Sequence, residues 1–205
     1  MIVIIDYGMG NVGSILNMLK KVGFEANISR DPSEIMEAAK LILPGVGAFD
    51  EAMNNLQQRG LIPVLNRRVL EDRCPILGIC LGMQLMSRRS EEGKLPGLGW
   101  IEAETRRFRL GQEQGDLKIP HMGWNLVDAR DTTGIFSGFT ETPRFYFVHS
   151  YHVCCDNPAD VLATSTHGCK FTAAVRRGNI LGTQFHPEKS HKYGMHLLLN
   201  FANLP

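Results

Sequence analysis

The chain contains no run that approaches the roughly 20 consecutive apolar residues that a membrane-spanning helix needs. The apolar residues 2–5 at the N-terminus are too few for a signal peptide, and no basic leader precedes them. An excess of charge is also missing, because 22 basic and 21 acidic residues leave a formal net charge of +1. These absences exclude a polybasic surface for nucleic acid or membrane. They predict a cytoplasmic protein that binds neither.

Cysteine is scarce and forms no motif. The five cysteines are odd in number and include no Cys-x-x-Cys pair, so neither a disulfide framework nor a structural zinc site is expected. The seven histidines include no His-Glu-x-x-His motif. His186, Glu188 and His191 lie close together in sequence, but the intervening Pro187 disfavours a shared metal. We therefore predict no metal and no cofactor.

Strand and helix patterns alternate over about the first 90 residues. Apolar runs predict buried strands at 2–5, 24–29, 41–43 and 75–79. Helical patterns separate them, at 15–22, from Asp31-Pro32, at 48–58, at 61–72 and from Leu81. Such alternation is typical of a parallel sheet with crossover helices.

The second half of the chain has a different pattern. Short strands are predicted at 98–106, 124–128, 145–149, 160–166, 171–176 and 180–185, with a turn from Gly111 to Gly115 and a last helix at 191–203. No repeat or linker interrupts the chain. We predict a single α/β domain over residues 1–205, with a central, mostly parallel sheet flanked by helices and a more strand-rich C-terminal half.

Gly78-Ile79-Cys80-Leu81-Gly82 is the strongest local signal for chemistry. It has the spacing of a nucleophile elbow, Gly-x-nucleophile-x-Gly, with Cys as nucleophile between a strand and a helix. The sharp turn strains the backbone at the nucleophile and requires small flanking residues. A helix N-terminus also favours a thiolate. The pattern predicts that Cys80 is a nucleophile rather than an inert buried cysteine.

A thiolate nucleophile needs a base that is held in place, and His186-Pro187-Glu188 supplies one. Residues i and i+2 of an extended segment point to the same side. Pro187 favours extended geometry at His186. Glu188 is then expected to bind one imidazole nitrogen and to leave the other for Cys80, which predicts a Cys80, His186, Glu188 triad.

These two motifs together resemble the triad (class I) glutamine amidotransferases. Further segments resemble the branch formed by the glutaminase subunits of imidazole glycerol phosphate synthases, across residues 2 to about 202. They are Asp6 to Asn11, Pro44 to Gly47, Pro120 to Asn125 and Tyr146 to Tyr151.

The resemblance implies a role for each matching position. Cys80 would attack the glutamine amide, His186 would move the proton and Glu188 would orient His186. Gly45, Val46 and Gly47 match the oxyanion strand, with the Leu81 amide as second donor. Positions that hold glutamine match Gly47, Gln84, His149, Ser150 and Tyr151. Positions that face a (β/α)8-barrel cyclase, to which ammonia would pass, match Met122, Trp124, Asn125, Tyr146 and Lys189.

Several alternatives stay open at this point. Similar subunits also occur as paralogues that supply ammonia in surface-polysaccharide pathways, and residues 152–158 and 189–195 look somewhat like that branch. A stand-alone Cys hydrolase and a non-catalytic scaffold subunit are two further hypotheses. Gly8 to Gly13 fits the Gly-x-Gly-x-x-Gly dinucleotide pattern. We interpret it as a tight strand-to-helix turn, because one small domain rarely holds both this site and a triad.

Overall fold

The computed structural model describes residues 1–111 and 117–205, so the turn predicted from Gly111 to Gly115 lies, apart from Gly111, outside the described residues. The strands are β1 Ile2–Ile5, β2 Ala26–Ser29, β3 Lys40–Leu43, β4 Ile76–Ile79, β5 Ala103–Arg107, β6 His121–Leu126, β7 Asp128–Ala129, β8 Arg144–His149, β9 Tyr151–Cys155, β10 Val161–His167, β11 Cys169–Arg177 and β12 Ile180–Thr183. The helices are α1 Val12–Lys21, α2 Pro32–Glu37, α3 Phe49–Gln58, α4 Leu61–Asn66, α5 Leu81–Leu85 and α6 His191–Asn203. A π-helical segment, Arg67–Glu71, continues α4.

Eight of the strands form one sheet in the order β2-β1-β3-β4-β12-β11-β10-β7. The first five strands of this order run parallel to their neighbours, and β11, β10 and β7 extend the sheet by antiparallel pairing. Two antiparallel ribbons, β5–β9 and β6–β8, lie beside it. The predicted fold class, mostly parallel at first and richer in strands later, is confirmed.

Helices cover both faces of the sheet. Successive side chains of a strand point to opposite faces, so Val3 and Ile5 pack in the core beneath α2 to α5, whereas Ile2 and Ile4 pack in the core beneath α1 and α6. The start of α2 forms as predicted, because Asp31 accepts a hydrogen bond from the Ser33 amide and Pro32 occupies the first helical position. The boundaries of α6 also match the prediction.

The strand predictions are wrong where a buried segment is not a strand and where a strand has few buried residues. The strand predicted at 98–106 begins only at Ala103, although Trp100 and Ile101 are buried in the preceding loop. An apolar run indicates burial rather than strand structure, and here the buried segment is a loop. Strand β9 was not predicted, because only Val153 within it is buried and no alternating pattern results. Strand β6 begins at His121, three residues before the predicted 124.

Candidate active site

The proposed catalytic residues follow the ends of three adjacent strands. Strands β3, β4 and β12 are parallel neighbours at the centre of the sheet. The segment Gly45 to Gly47 follows β3, Cys80 follows β4, and His186 to Glu188 follow β12. Because parallel strands place their carboxyl ends at one edge, three sequence-distant segments meet there, which is where α/β sheets commonly bind ligands.

Cys80 sits in the strained turn that the elbow motif predicts. Its φ is +55° and its ψ is −108°, a conformation that costs a non-glycine residue about 1–3 kcal/mol. A hydrogen bond of 2.7 Å from the Cys80 amide to the Thr183 carbonyl holds the turn against β12. The flanking glycines are required sterically, because a Cβ on Gly78 would lie 2.8 Å from the Gly82 backbone and a Cβ on Gly82 would overlap the Leu43 carbonyl oxygen.

The predicted oxyanion segment packs directly on the start of α5. A Cβ on Gly45 would lie 2.8 Å from the Gly82 amide nitrogen. The Tyr7 hydroxyl donates a 2.7 Å hydrogen bond to the Pro44 carbonyl and anchors the segment. Gly47 has a φ of +121°, which an L side chain rarely adopts. Leu81 is the first residue of α5, so its N–H lacks an intrahelical acceptor.

His186 and Glu188 form a buried pair. Nδ1 of His186 lies 2.8 Å from Oε1 of Glu188, and the two side chains are 1% and 2% exposed. Strand β8 fixes the turn, because the His186 amide donates to the Tyr146 carbonyl at 2.9 Å. Ser190 Oγ donates to the His186 carbonyl and accepts from the Tyr146 amide. Nε2 of His186 has no hydrogen-bond partner within the described residues, and the ring lines the same cavity as Cys80.

The electrostatic environment favours a charged imidazole. Burial of the His186 ring acts to lower its pKa, but the Cys80 thiolate and the Glu188 carboxylate act against burial and raise the pKa to about 10. Since no hydrogen-bonding geometry is met at Nε2, we ascribe the effect of the sulfur chiefly to its charge. A charged His186 is the form that an imidazolium–thiolate pair requires, and such a pair is how a histidine activates a cysteine.

A cavity of about 280 Å³ opens onto Cys80. The predicted residues that line it are Val46, Gly47, Leu81, Gln84, His149, Ser150 and Tyr151, together with Cys80 and His186. Glu92, Pro120 and Val148 also line it, and none of them was predicted. Among the described residues, Glu92 is the only carboxylate that lines the cavity; it accepts a hydrogen bond from the Phe49 amide, and burial raises its pKa. Within Glu91-Glu92-Gly93 its sequence resembles a solvated charge cluster, so no sequence signal separated it.

Four of the five predicted partner residues meet on one surface. Met122 and Trp124 are 62% and 43% exposed on β6. The Trp124 and Tyr146 rings meet edge to face at 6.4 Å, and Lys189 Nζ lies 5.8 Å from the Tyr146 ring centre. Asn125 differs, because alternation along β6 turns its side chain to the opposite face, where it donates to the Thr166 carbonyl.

Four histidines from β6, β8, β9 and β10 form a cluster with Phe108 behind the cavity; His121, His149 and Phe108 are buried, and His152 and His167 are partly buried. Nδ1 of His121 lies 2.9 Å from Nε2 of His149, His121 stacks on His167, and His152 stacks on Phe108. Burial, and less strongly His167, lower the pKa of His121 to about 4. Burial lowers the pKa of His149 to about 3.

This cluster predicts acid sensitivity of folding. Both pKa values lie below the unfolded value of 6.5, so the stability that these neutral rings contribute is complete above pH 6.5 and is lost as pH falls towards the folded pKa values. Between about pH 6 and pH 5, each ring should lower the free energy of unfolding by about 1.4 kcal/mol per pH unit. Urea titrations at several pH values give the free energy of unfolding as a function of pH. This free energy should change less steeply with pH in His121→Phe than in wild type, and an equal pH dependence would contradict this account.

No group of His, Cys, Asp and Glu residues that could hold a metal occurs within residues 1–111 and 117–205. In the same part of the chain, no helix is both long and apolar enough to cross a membrane.

A family model described as glutamine amidotransferase class-I matches residues 3–203. The chain belongs to the class I glutamine amidotransferases. As a member of this enzyme family it is similar to two curated proteins named imidazole glycerol phosphate synthase subunit HisH 2. One, from Methanococcus maripaludis, is 54% identical and covers 98% of both chains. The other, from Pseudomonas aeruginosa, is 53% identical and covers 100% of both.

A solved structure described as a glutamine amidotransferase shares the fold of this class I amidotransferase. It matches with a TM-score of 0.76 at 20% identity, over 98% of this chain and 99% of that chain.

Proposed function

We propose that Cys80, His186 and Glu188 hydrolyse the side-chain amide of glutamine, and that the chain is the ammonia-producing subunit of an imidazole glycerol phosphate synthase in histidine biosynthesis. The observation that carries the first part is the buried His186–Glu188 pair beside a strained cysteine in one cavity. The identity of 53–54% over 98–100% of the chain to subunits named HisH 2 supports the second part.

The geometry supports acyl transfer in two steps. In the first, the Cys80 thiolate attacks the amide carbon, and the developing oxyanion is bound by the Leu81 amide and by the Gly45 to Gly47 segment. His186 as imidazolium then donates its proton to the amide nitrogen, the C–N bond breaks and ammonia leaves a glutamyl thioester. In the second step, neutral His186 takes a proton from water, the resulting hydroxide displaces the thiolate, and glutamate is released.

Glu92 is positioned to bind the α-ammonium group of glutamine. Its carboxylate is the only acidic group among the described residues that line the cavity, and a carboxylate gains a charge-assisted hydrogen bond from an ammonium group. We expect Glu92→Gln to raise the KM for glutamine about 10- to 100-fold with little change in kcat, since a charged hydrogen bond is lost equally from ground and transition states. Steady-state glutamate release measures both constants, and an unchanged KM would contradict the assignment.

The exposed apolar face of β6 supports a partner subunit. Met122, Trp124 and Leu126 are 62%, 43% and 58% exposed on alternate positions of that strand, and surfaces of this kind mark protein interfaces. The proposed occupant is the (β/α)8-barrel cyclase subunit, which would receive ammonia for synthesis of imidazole glycerol phosphate. A closed passage is chemically useful because ammonia protonates in neutral water and then loses its nucleophilicity.

The deciding experiment measures glutamate release by the purified chain alone and with the histidine-pathway cyclase and its nucleotide substrate. Release that the cyclase stimulates and that Cys80→Ala abolishes is the expected result. Release that persists in Cys80→Ala would overturn the mechanism.

A second candidate follows from the names of the relatives. The names of both relatives carry the number 2, as expected for a second, paralogous copy of the subunit. The proposed role of such a paralogue is to supply ammonia to a sugar amidotransferase of a surface-polysaccharide pathway. The same assay separates the two functions: stimulation only by the cyclase-like subunit of the polysaccharide pathway, with no imidazole glycerol phosphate formed, would support the paralogue.

A further inference from the structure

Gln184 is fully buried directly after β12 and has no role in the mechanism above. Its Nε2 lies 3.6 Å from the Cys80 sulfur, and its Oε1 lies 3.1 Å from Nε2 of Gln84. Nε2 of Gln84 also donates to the Tyr151 carbonyl at 3.1 Å. A carbonyl oxygen can only accept, so Gln84 must direct its NH2 group there. Gln184 therefore directs Oε1 to Gln84 and an N–H to the sulfur.

The same carbonyl fixes the two histidines beyond it. Nδ1 of His149 lies 2.7 Å from the Tyr151 oxygen and must carry a hydrogen. In the neutral ring Nε2 is then an acceptor, so Nδ1 of His121, at 2.9 Å, must donate to it. Nε2 of His121 is in turn an acceptor, and Nδ2 of Asn125 lies 3.2 Å from it.

Asn125, at the far end of this hydrogen-bonded chain, is oriented independently of the Tyr151 carbonyl. Nδ2 of Asn125 also donates to the Thr166 carbonyl at 2.8 Å, and Oδ1 accepts from the Leu126 amide. Carbonyl oxygens at both ends thus require the same orientation of every group between them. A proton added to His121 would direct an N–H at the Asn125 NH2 group, and one added to His149 would direct an N–H at that of His121. Both rings have pKa values well below neutrality, chiefly because of burial, which agrees with the neutral forms that this polarity needs.

We propose that Gln184 is a further catalytic residue that donates a hydrogen bond to the Cys80 thiolate. The Tyr151 carbonyl, which accepts from Gln84 on one side and from His149 on the other, sets the orientation of Gln84 and through it that of Gln184. The hydrogen-bonded chain of His149, His121 and Asn125 holds that carbonyl in place. In this chain His121 is a positioning residue, since it acts on the sulfur only through other groups. As a thiol, Cys80 instead has the Val148 carbonyl as a distant acceptor at 4.0 Å. The amide of Gln184 therefore favours the thiolate form. The proposal rests on Cys80 being the nucleophile of the proposed function.

The first test measures the thiolate directly, without glutamine or a partner. The rate of Cys80 alkylation by iodoacetamide is followed against pH, and the modified residue is assigned by tandem mass spectrometry. In Gln184→Met, which keeps side-chain length but removes the N–H, we expect the midpoint to rise by about one pH unit or more. In His121→Phe, which keeps ring stacking on Phe147, we expect a smaller rise of about half a unit.

His152→Phe is the matched control. His152 is a partly buried ring of the same cluster, stacked on Phe108 at 4.6 Å, but its hydrogen bond goes to Cys154 and not to a member of the hydrogen-bonded chain. The midpoint of the pH dependence of Cys80 alkylation in His152→Phe should equal that of wild type. A wild-type midpoint in both Gln184→Met and His121→Phe would overturn the proposal, and so would an equal rise in the His152→Phe control.

The second test needs no variant that could fail to fold. Imidazole ¹⁵N shifts of the full-length chain report which ring nitrogen carries the hydrogen. We expect the hydrogen on Nδ1 of both His121 and His149 at neutral pH. A hydrogen on Nε2 of either ring would overturn the proposed hydrogen-bonded chain. Failure of the proposed function would appear separately, as glutamate release that survives Cys80→Ala, because neither test here depends on turnover.

Discussion

Replacement of Glu188 by Gln should lower the kcat of glutamine hydrolysis by about 10³- to 10⁴-fold. The Glu188 carboxylate accepts the Nδ1–H of His186 at 2.8 Å and so keeps Nε2 directed at the cavity of Cys80. A carboxamide can present its NH2 group to Nδ1 instead, which places the imidazole proton on Nε2 and removes the base. Loss of the Glu188 charge also lowers the pKa of His186, so the alkaline limb of the pH–rate profile should move to lower pH. Steady-state kinetics over a range of pH measure both effects.

Glu92→Gln is the matched control for this experiment. It makes the same chemical change in the same site, yet it should act on KM because Glu92 does not touch His186. A loss of kcat smaller than about tenfold in Glu188→Gln, or an alkaline limb that does not move, would show that Glu188 is not the group that orients the base.

Gly82→Ala should be the most damaging conservative substitution to the fold. A Cβ at this position overlaps the Leu43 carbonyl oxygen, which belongs to the backbone of β3 and cannot rotate away. Helix α5 would have to move off the sheet and take Cys80 with it. We expect a loss of about 3 kcal/mol or more in the free energy of unfolding, and loss of glutaminase activity in any folded fraction. Urea or thermal unfolding measures the change.

Gly13→Ala supplies the comparison. Gly13 lies in α1 with no atom within 4 Å of an added Cβ. Alanine there should stabilise the chain by about 0.5–1 kcal/mol, because glycine is the poorer helix former. If Gly82→Ala were as well tolerated as Gly13→Ala, the close approach of α5 to β3 could not be what forms the elbow.

The elbow shows why parts of this site could be predicted. Gly78, Cys80 and Gly82 are neighbours in sequence, so the requirement for small residues around a strained nucleophile is visible as a spacing. His186 and Glu188 are separated only by Pro187, so their pairing is also local. What joins the two motifs is the sheet order, and the alternation of strand and helix patterns suggested a parallel sheet that brings strand ends together.

Contacts between distant segments could not be predicted in this way. Glu92 follows Cys80 by twelve positions in a segment without a periodic pattern, and only the path of the chain after α5 brings its carboxylate into the cavity. Strand β9 carries no periodic signal, because its only fully buried residue is Val153. The inward side chain of Asn125 depends on where β6 begins, and a shift of the predicted start by three residues hides which face each residue takes.

By itself, the sequence determined the alternation of strands and helices in the first half of the chain, the strained turn at Cys80 with the glycines on which it depends, and the local pair of His186 and Glu188. Each of these depends on residues within a few positions of one another, where backbone sterics and periodicity act. Only the tertiary structure decided that three strand ends share one edge, that Glu92 enters the cavity, and that Gln184 and the buried histidines form a chain to the sulfur. Those arrangements depend on sheet order, strand register and the orientation of buried amides and imidazoles, which the folded chain sets through contacts between residues far apart in sequence.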